Sequence, residues 1–274
     1  MSKLYVFGIG GTGSRVLKAL TMLLSSGVEC AGDTIVPIII DPDDSAADKT
    51  RAVAAMNRYM SVRSKLDFTA ADQNRFFKTE IRPVDGMENF GFPLKNTRDC
   101  FFKDFIKIDE LNKANRALVS LLFSEKNLDS DMKVGFKGNP NIGSVVLNQF
   151  ANSQEYKDFA NGFQQGDRIF IVSSIFGGTG ASGFPLLLKT IRSDRSSQSW
   201  NLISKSAVGA VTVLPYFSVS QDDNSGVDSS TFASKTKSAL AYYEHNISAN
   251  GGINALYYIG DNIPASYENH DGGS

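Results

Sequence analysis

Two glycine-rich turns are the residues best suited to chemistry in this chain. The first reads Gly8-Ile9-Gly10-Gly11-Thr12-Gly13-Ser14, directly after the apolar run Leu4-Tyr5-Val6-Phe7. The second reads Phe176-Gly177-Gly178-Thr179-Gly180-Ala181-Ser182-Gly183, directly after Arg168-Ile169-Phe170-Ile171-Val172-Ser173-Ser174-Ile175. Glycine lets a backbone approach an anion closely. A helix N-terminus adds free N–H groups and the positive end of its dipole. One such turn is a weak signal, and two in one domain suggest a phosphate chain gripped from both sides. A tight structural turn remains the competing reading of the first. Carboxylates cluster at Asp41-Pro42-Asp43-Asp44 after a second apolar run. Asp41 at a strand end points to a ligand, whereas Asp44 suits a helix cap as well as a metal.

The elements that must position these residues follow from hydrophobic period. Leu4 to Phe7 reads as a buried strand. Ser14 to Ser25 reads as a helix on Val16, Leu17, Leu20, Leu23 and Leu24, and Thr34 to Ile40 as the next strand. Strand, turn, helix and strand make a βαβ unit, which favours a parallel sheet with right-handed crossovers. Helices are expected over Ser45–Met60, Asp109–Lys126, Ser153–Phe163 and Thr231–Asn246, and strands over Ala207–Leu214 and Ala255–Ile259. Residues 61–108 carry no clear period, and 135–143 and 218–229 read as loops. The aromatic pairs Phe76-Phe77 and Phe101-Phe102 read as core anchors, with an exposed subunit contact as the alternative. The fold class is therefore α/β: a doubly wound, mostly parallel sheet with helices on both faces. Residues 1–262 read as one nucleotide-binding domain, and 263–274 as a polar tail or truncated loop. Ligands of such sheets bind beyond the carboxyl ends of the strands.

Composition bounds the class of partner. The chain has 274 residues, 42% hydrophobic and 21% charged, with a net charge of -1. These are ordinary values for a globular protein, and they argue against general nucleic-acid or membrane-surface binding. Cys30 and Cys100 fit no metal or redox spacing and read as buried thiols in a reducing compartment. With no apolar run near the ~20 residues of a membrane helix and no secretory pattern at the start, the expected location is cytoplasmic. His245 and His270 are too isolated for a metal or catalytic role.

At this point the second turn resembles the tubulin/FtsZ signature GGGTG(S/T)G, with Phe176 where the first glycine would stand. The first turn resembles the first phosphate loop of FtsZ, and Asp41-Pro42-Asp43 stands where FtsZ-like proteins carry Asn-Thr-Asp. Residues 210–216 (AVTVLPY) are similar to the strand and proline after the signature helix. GFKGNPNIG and LYYIGDN look like a bacterial tubulin-like branch. The resemblance covers nearly the whole chain and implies a GTP/GDP-binding domain with Mg2+ and GTPase activity. In it Gly177, Gly178, Thr179, Gly180, Ala181 and Ser182 would cradle the phosphates. Gly10, Gly11, Thr12, Gly13 and Ser14 would contact them from the other side, with Asp41 nearby. Asp43 would lie near the γ-phosphate or its Mg2+, and residues 139–143 could close over the phosphate end. Phe232 could stack on the base, with Asp222 or Asp223 at the ribose. The resemblance further implies head-to-tail self-association into filaments, with an adaptor protein as a further partner.

Several positions depart from that pattern. Where the family offers guanine an Asn, Lys235 or Thr236 is nearest, and Lys only donates. No acidic loop of the form Asn-x-Asp-x-x-Asp is found, so the catalytic residues are unassigned. Phe232 suits the core as well as a base, and Asp222 and Asp223 suit a solvated loop. Three other readings stay open: a nucleotide-binding scaffold or sensor without hydrolysis, a ThiF-like ATP-dependent adenylating enzyme suggested by GIGGTGS and Asn57-Arg58, and a NAD-binding Rossmann domain.

Overall fold

The N-terminal apolar run forms strand β1 (Lys3–Ile9), and the first glycine turn is itself the opening turn of helix α1 (Gly10–Ser25). This computed structural model describes residues 2–30, 32–43, 45–68, 74–87, 89–95, 97, 100–132, 135–136, 138–193, 195, 197–219, 232–261 and 266–267. Strand β2 (Thr34–Ile40) and helix α2 (Ala47–Arg63) follow, then the short strands β3 (Glu80–Ile81) and β4 (Gly91–Phe92). Helices α3 (Lys113–Leu122), α4 (Pro140–Leu147) and α5 (Gln154–Gly162) lead to strand β5 (Arg168–Ser174). The second glycine turn opens helix α6 (Gly178–Ser193), followed by α7 (Trp200–Lys205), β6 (Ala207–Val213), α8 (Phe232–Tyr243) and β7 (Ala255–Ile259).

The strands form one seven-stranded sheet in the order β3-β2-β1-β5-β6-β7, with β4 also on β2. Every ladder in it is parallel. Side chains alternate across a strand, so each strand feeds two cores. Tyr5, Phe7, Ile9, Val36, Ile38 and Ile40 face one side, where α4, α5, α6 and α8 pack through Val146, Phe159, Phe184 and Tyr243. Val6, Ile35 and Ile39 face the other, where α1 and α2 pack through Leu17, Leu24, Met56 and Tyr59. The doubly wound α/β architecture expected from the sequence is therefore present. Each such fully buried side chain contributes roughly 1.5–3 kcal/mol.

Pro37 sits in the middle of β2 without disrupting it. The Ile39 N–H donates to the Phe90 carbonyl, and the Ile35 carbonyl accepts from Arg82. Odd-numbered residues of β2 thus bond towards the outer edge. There β3 covers Thr34–Ile35 and β4 covers Ile39–Ile40. The missing N–H of Pro37 faces the gap between them.

Where the elements differ from expectation, capping chemistry explains it. The expected helix 109–126 is broken into a 3-10 turn (Ile108–Glu110), α3 and a short turn (Glu125–Leu128). The breaks fall at Asn112 and Ser124, whose side chains accept the N–H of Asn115 and Asn127 as N-caps. Its leucines are surface residues: Leu118 is 53% exposed and Leu121 84%. Helix α4 begins inside the expected loop 135–143 because Pro140 occupies its first turn, where a missing N–H costs nothing. The aromatic pairs split, Phe77 and Phe102 packing inward while Phe76 and Phe101 are exposed. Both cysteines are free and half-buried. No helix among the described residues is long and apolar enough to cross a membrane.

Candidate functional site

The strand order reverses between β1 and β5. From β1 the chain crosses through α1 on one face to β2, and from β5 through α6 on the other face to β6. Ligands of open α/β sheets bind at such a switch point. β1 and β5 are hydrogen-bonded neighbours, with Gly8 opposite Val172, so both glycine turns leave adjacent strands at one sheet edge. The turns meet: a β-carbon at Gly10 would lie 3.5 Å from the Thr179 Cβ, and Gly10 has φ +69°. Two helix N-termini from opposite faces thus converge on one place. In α1 the N–H groups of Gly10, Gly11 and Thr12 precede the first intrahelical bond, and Ile9 offers no side-chain cap. In α6 the first carbonyl to accept is that of Gly177, from the Ala181 N–H at 3.2 Å.

The structure sorts the expected site residues into two groups. Gly11, Thr12, Gly177, Thr179 and Ala181 are partly exposed at the mouth. The other expected residues of the two turns are buried and closely packed. A β-carbon at Gly13 would overlap the Gly8 backbone, and one at Gly180 would sit 2.8 Å from the Ser174 nitrogen. Gly178 abuts the Phe136 Cβ and the Asn139 nitrogen, at 2.9 and 3.0 Å from where its β-carbon would be. Ser182 spends its hydroxyl on the Gly178 carbonyl at 2.6 Å. Ser14 is fully buried, and its hydroxyl finds no partner among the described residues. Close packing of helix on strand therefore explains much of the glycine density that the sequence alone attributes to phosphate.

Asp41 and Asp43 are both buried just beyond the end of β2. The Asp41 Oδ1 accepts the Asp43 N–H at 3.1 Å. Asp43 Oδ1 accepts the Ser45 N–H at 2.9 Å and hydroxyl at 2.7 Å, an Asx turn that leads into α2. Among the described residues no group of three or more His, Cys, Asp or Glu could hold a metal. This donor set suits an ion held mainly by phosphate and water, not a protein cage. Asp44, Asp222, Asp223 and His270 lie outside the described residues.

Phe232 and Lys235, the described residues expected at the base, both have partners within the chain. Phe232 is 5% exposed. Its ring packs 5.2 Å from that of Phe176 and 6.0 Å from that of Phe217, within a buried aromatic cluster. Phe176, the departure from the glycine signature, is an anchor of the same cluster. The Lys235 ammonium donates to the Gly138 carbonyl at 2.9 Å and so braces the segment beside α6. Residues 139–143 open α4 and pack against Ser182 through Gly143, which leaves no room for a side chain there.

Three residues at the mouth carry no motif and were not legible as site residues. Arg15 pairs with Asp48 at 2.8 Å and donates to the Tyr216 hydroxyl at 2.8 Å. Next to them a cleft of about 370 Å³ adjoins Thr12, with Val16, Val213, Tyr216, Ile259 and Asp261 in its walls. Only the spacing of Arg15, one turn after Gly11, was a signal in the sequence. A larger cleft of about 800 Å³ is lined by α2, Met87, Asn89, Gly91 and α5, with neither glycine turn in its walls.

No family model matches the chain, and none of the curated proteins does. Among solved structures it is similar to CetZ from Methanosaeta thermophila, at 16% identity and TM-score 0.44, covering 95% of this chain and 46% of that one. It is similar to an FtsZ W319Y mutant of M. jannaschii at 15% identity and TM-score 0.45, covering 94% and 46%. A GTPγS-bound protofilament of CetZ2 from Haloferax volcanii gives 11% identity and TM-score 0.44, covering 95% and 49%. The chain thus spans about half the length of these structures.

Proposed function

We propose that this chain is the nucleotide-binding domain of a tubulin/FtsZ-like GTP-binding protein, with the phosphates held between the N-termini of α1 and α6. The observation that carries this reading is the meeting of two glycine turns, from adjacent parallel strands, at the reversal point of the sheet. Backbone N–H groups at Gly11 and Thr12 on one side, and at Gly177 and Thr179 on the other, supply the cradle, and the Thr hydroxyls add donors. Gly10 lets the two turns meet, and Gly13 and Gly180 seat each helix close on its strand. Phosphoryl transfer depends on positioning and charge neutralisation, which such a cradle suits.

The cleft beside Thr12 takes the base in place of Phe232. Val16, Val213 and Tyr216 offer it apolar contact, and the Asp261 carboxylate matches the paired N–H donors of guanine, which adenine lacks. Asp43 would hold Mg2+ through water, and the ion would neutralise phosphate charge. Hydrolysis and head-to-tail assembly belong to this reading, with the acidic group supplied by a neighbouring subunit. A sensor that binds nucleotide without hydrolysis is the second reading.

Calorimetric titration of GTP and of ATP, each with Mg2+, tests the proposal. Selective GTP binding that Asp261→Ala relaxes is expected. Selective ATP binding, or no binding of either, would overturn it. Single-turnover hydrolysis at high protein concentration and pelleting with GTP then separate the enzyme from the sensor.

A further inference from the structure

We propose that Arg15 is a phosphate-responsive latch, whose guanidinium exchanges the Asp48 carboxylate for the phosphates of a nucleoside triphosphate. The inference rests on the reading of the two glycine turns as a phosphate cradle. Arg15 stands one turn into α1, four residues beyond Gly11. Its Nε pairs with Asp48 Oδ2 at 2.8 Å, and another of its nitrogens donates to the Tyr216 hydroxyl at 2.8 Å. A β-carbon at Gly11 would lie 3.5 Å from that same Asp48 oxygen and 3.8 Å from an Arg15 nitrogen. The ion pair therefore borders the partly exposed glycine whose N–H is offered to the ligand.

Three features make exchange favourable. The Arg15 side chain is 51% exposed, so its pair with Asp48 is screened by water and contributes little stability. Asp48 has a second partner, Arg51 at 2.9 Å, and would stay paired after Arg15 left. A guanidinium on phosphate forms bidentate, charge-assisted bonds matched to its fork, and a triphosphate carries more negative charge than the single carboxylate it replaces.

The consequence is mechanical. Without ligand, Arg15 ties α1 to α2 and to the segment after β6. With triphosphate bound, both ties open. Tyr216 borders the base cleft, and its ring lies 6.0 Å from Phe176 and 5.0 Å from Phe217. Release of its hydroxyl thus couples the phosphate end to the aromatic cluster under α8. A static ion pair would have no such effect.

The test is titration of inorganic triphosphate and of GTP into the full chain and its Arg15→Ala, Asp48→Asn and doubly substituted forms, with and without Mg2+. The latch predicts opposite signs. Arg15→Ala weakens triphosphate roughly 10-fold or more, the loss of charge-assisted bonds. Asp48→Asn tightens it about threefold, by removing the competitor, and the gain vanishes when Arg15 is absent. Thermal melting of each variant checks the fold, and Arg15→Lys, which keeps charge without the fork, gives an intermediate loss. If the parent chain binds GTP and Arg15→Ala binds it equally well, the latch is refuted and the cradle stands. Weakening by Asp48→Asn to the same degree as by Arg15→Ala also refutes the latch. If the parent chain binds neither probe, the cradle falls and the latch with it.

Discussion

Gly11 and Gly13 sit two residues apart in one helical turn, and alanine at each should have opposite consequences. At Gly13 a β-carbon would overlap the Gly8 backbone and stand 3.1 Å from the Val172 carbonyl oxygen. Backbone cannot rotate away as a side chain can, so α1 must lift off β1. Overpacking of this kind costs about 1–3 kcal/mol, against roughly 1 kcal/mol gained from the higher helix propensity of alanine. A clash this close with backbone falls at the upper end of that range, so the net loss is about 2 kcal/mol, or a few degrees in Tm for a chain of this size. At Gly11 the nearest atom to a β-carbon is the Asp48 carboxylate at 3.5 Å, ordinary van der Waals contact. Gly11→Ala should therefore leave Tm unchanged or raise it. The same methyl would stand where phosphate must approach the Gly11 N–H, and GTP affinity should fall about 10-fold or more. Paired thermal melts and calorimetric titrations of the two variants decide the matter. A Gly11→Ala chain that melts normally and binds GTP with parental affinity would refute the assignment of that turn to phosphate. A Gly13→Ala chain as stable as its parent would refute the packing argument.

Three further outcomes are expected. Ser182→Ala removes the buried hydroxyl that satisfies the Gly178 carbonyl and should lower stability by about 1 kcal/mol in urea unfolding. Burial pushes the Tyr59 phenol up to about 12, and its hydroxyl donates to the Thr79 carbonyl at 2.6 Å. The folded state therefore holds this proton more tightly than the unfolded state, whose tyrosine titrates near 10. Its contribution is complete below about pH 10 and is lost between about 10 and 12, so Tyr59→Phe should flatten the alkaline fall of Tm in that window. Leu121 is 84% exposed, and Leu121→Ser should change stability by less than about 0.5 kcal/mol by denaturant titration, against the several kcal/mol of a core leucine.

Much of the scaffold was legible because local pattern and final burial agree. Strands β2 and β7 begin and end where their apolar runs do, and β5 follows its own run to within one residue. Parallel strands with helices on both faces follow from the alternation of elements. The helical start at Gly10 was hidden, since glycine carries no period and low propensity. Helix α3 misled because an amphipathic pattern records that a face is apolar, not that anything covers it.

The sequence by itself determined the α/β class and the placement of each glycine turn between a strand and a helix. These depend on residue type and on neighbours within a few positions. Only the tertiary structure decided which glycines stay partly exposed and which admit a neighbouring backbone. The same residue type serves both ends, and the difference lies in what stands within 4 Å from another part of the chain. It also placed Phe232 in a buried aromatic cluster with Phe176 and Phe217. And it brought Arg15, Asp48 and Tyr216 to one mouth, a meeting set by the crossing of α1 over the sheet and by no spacing along the chain.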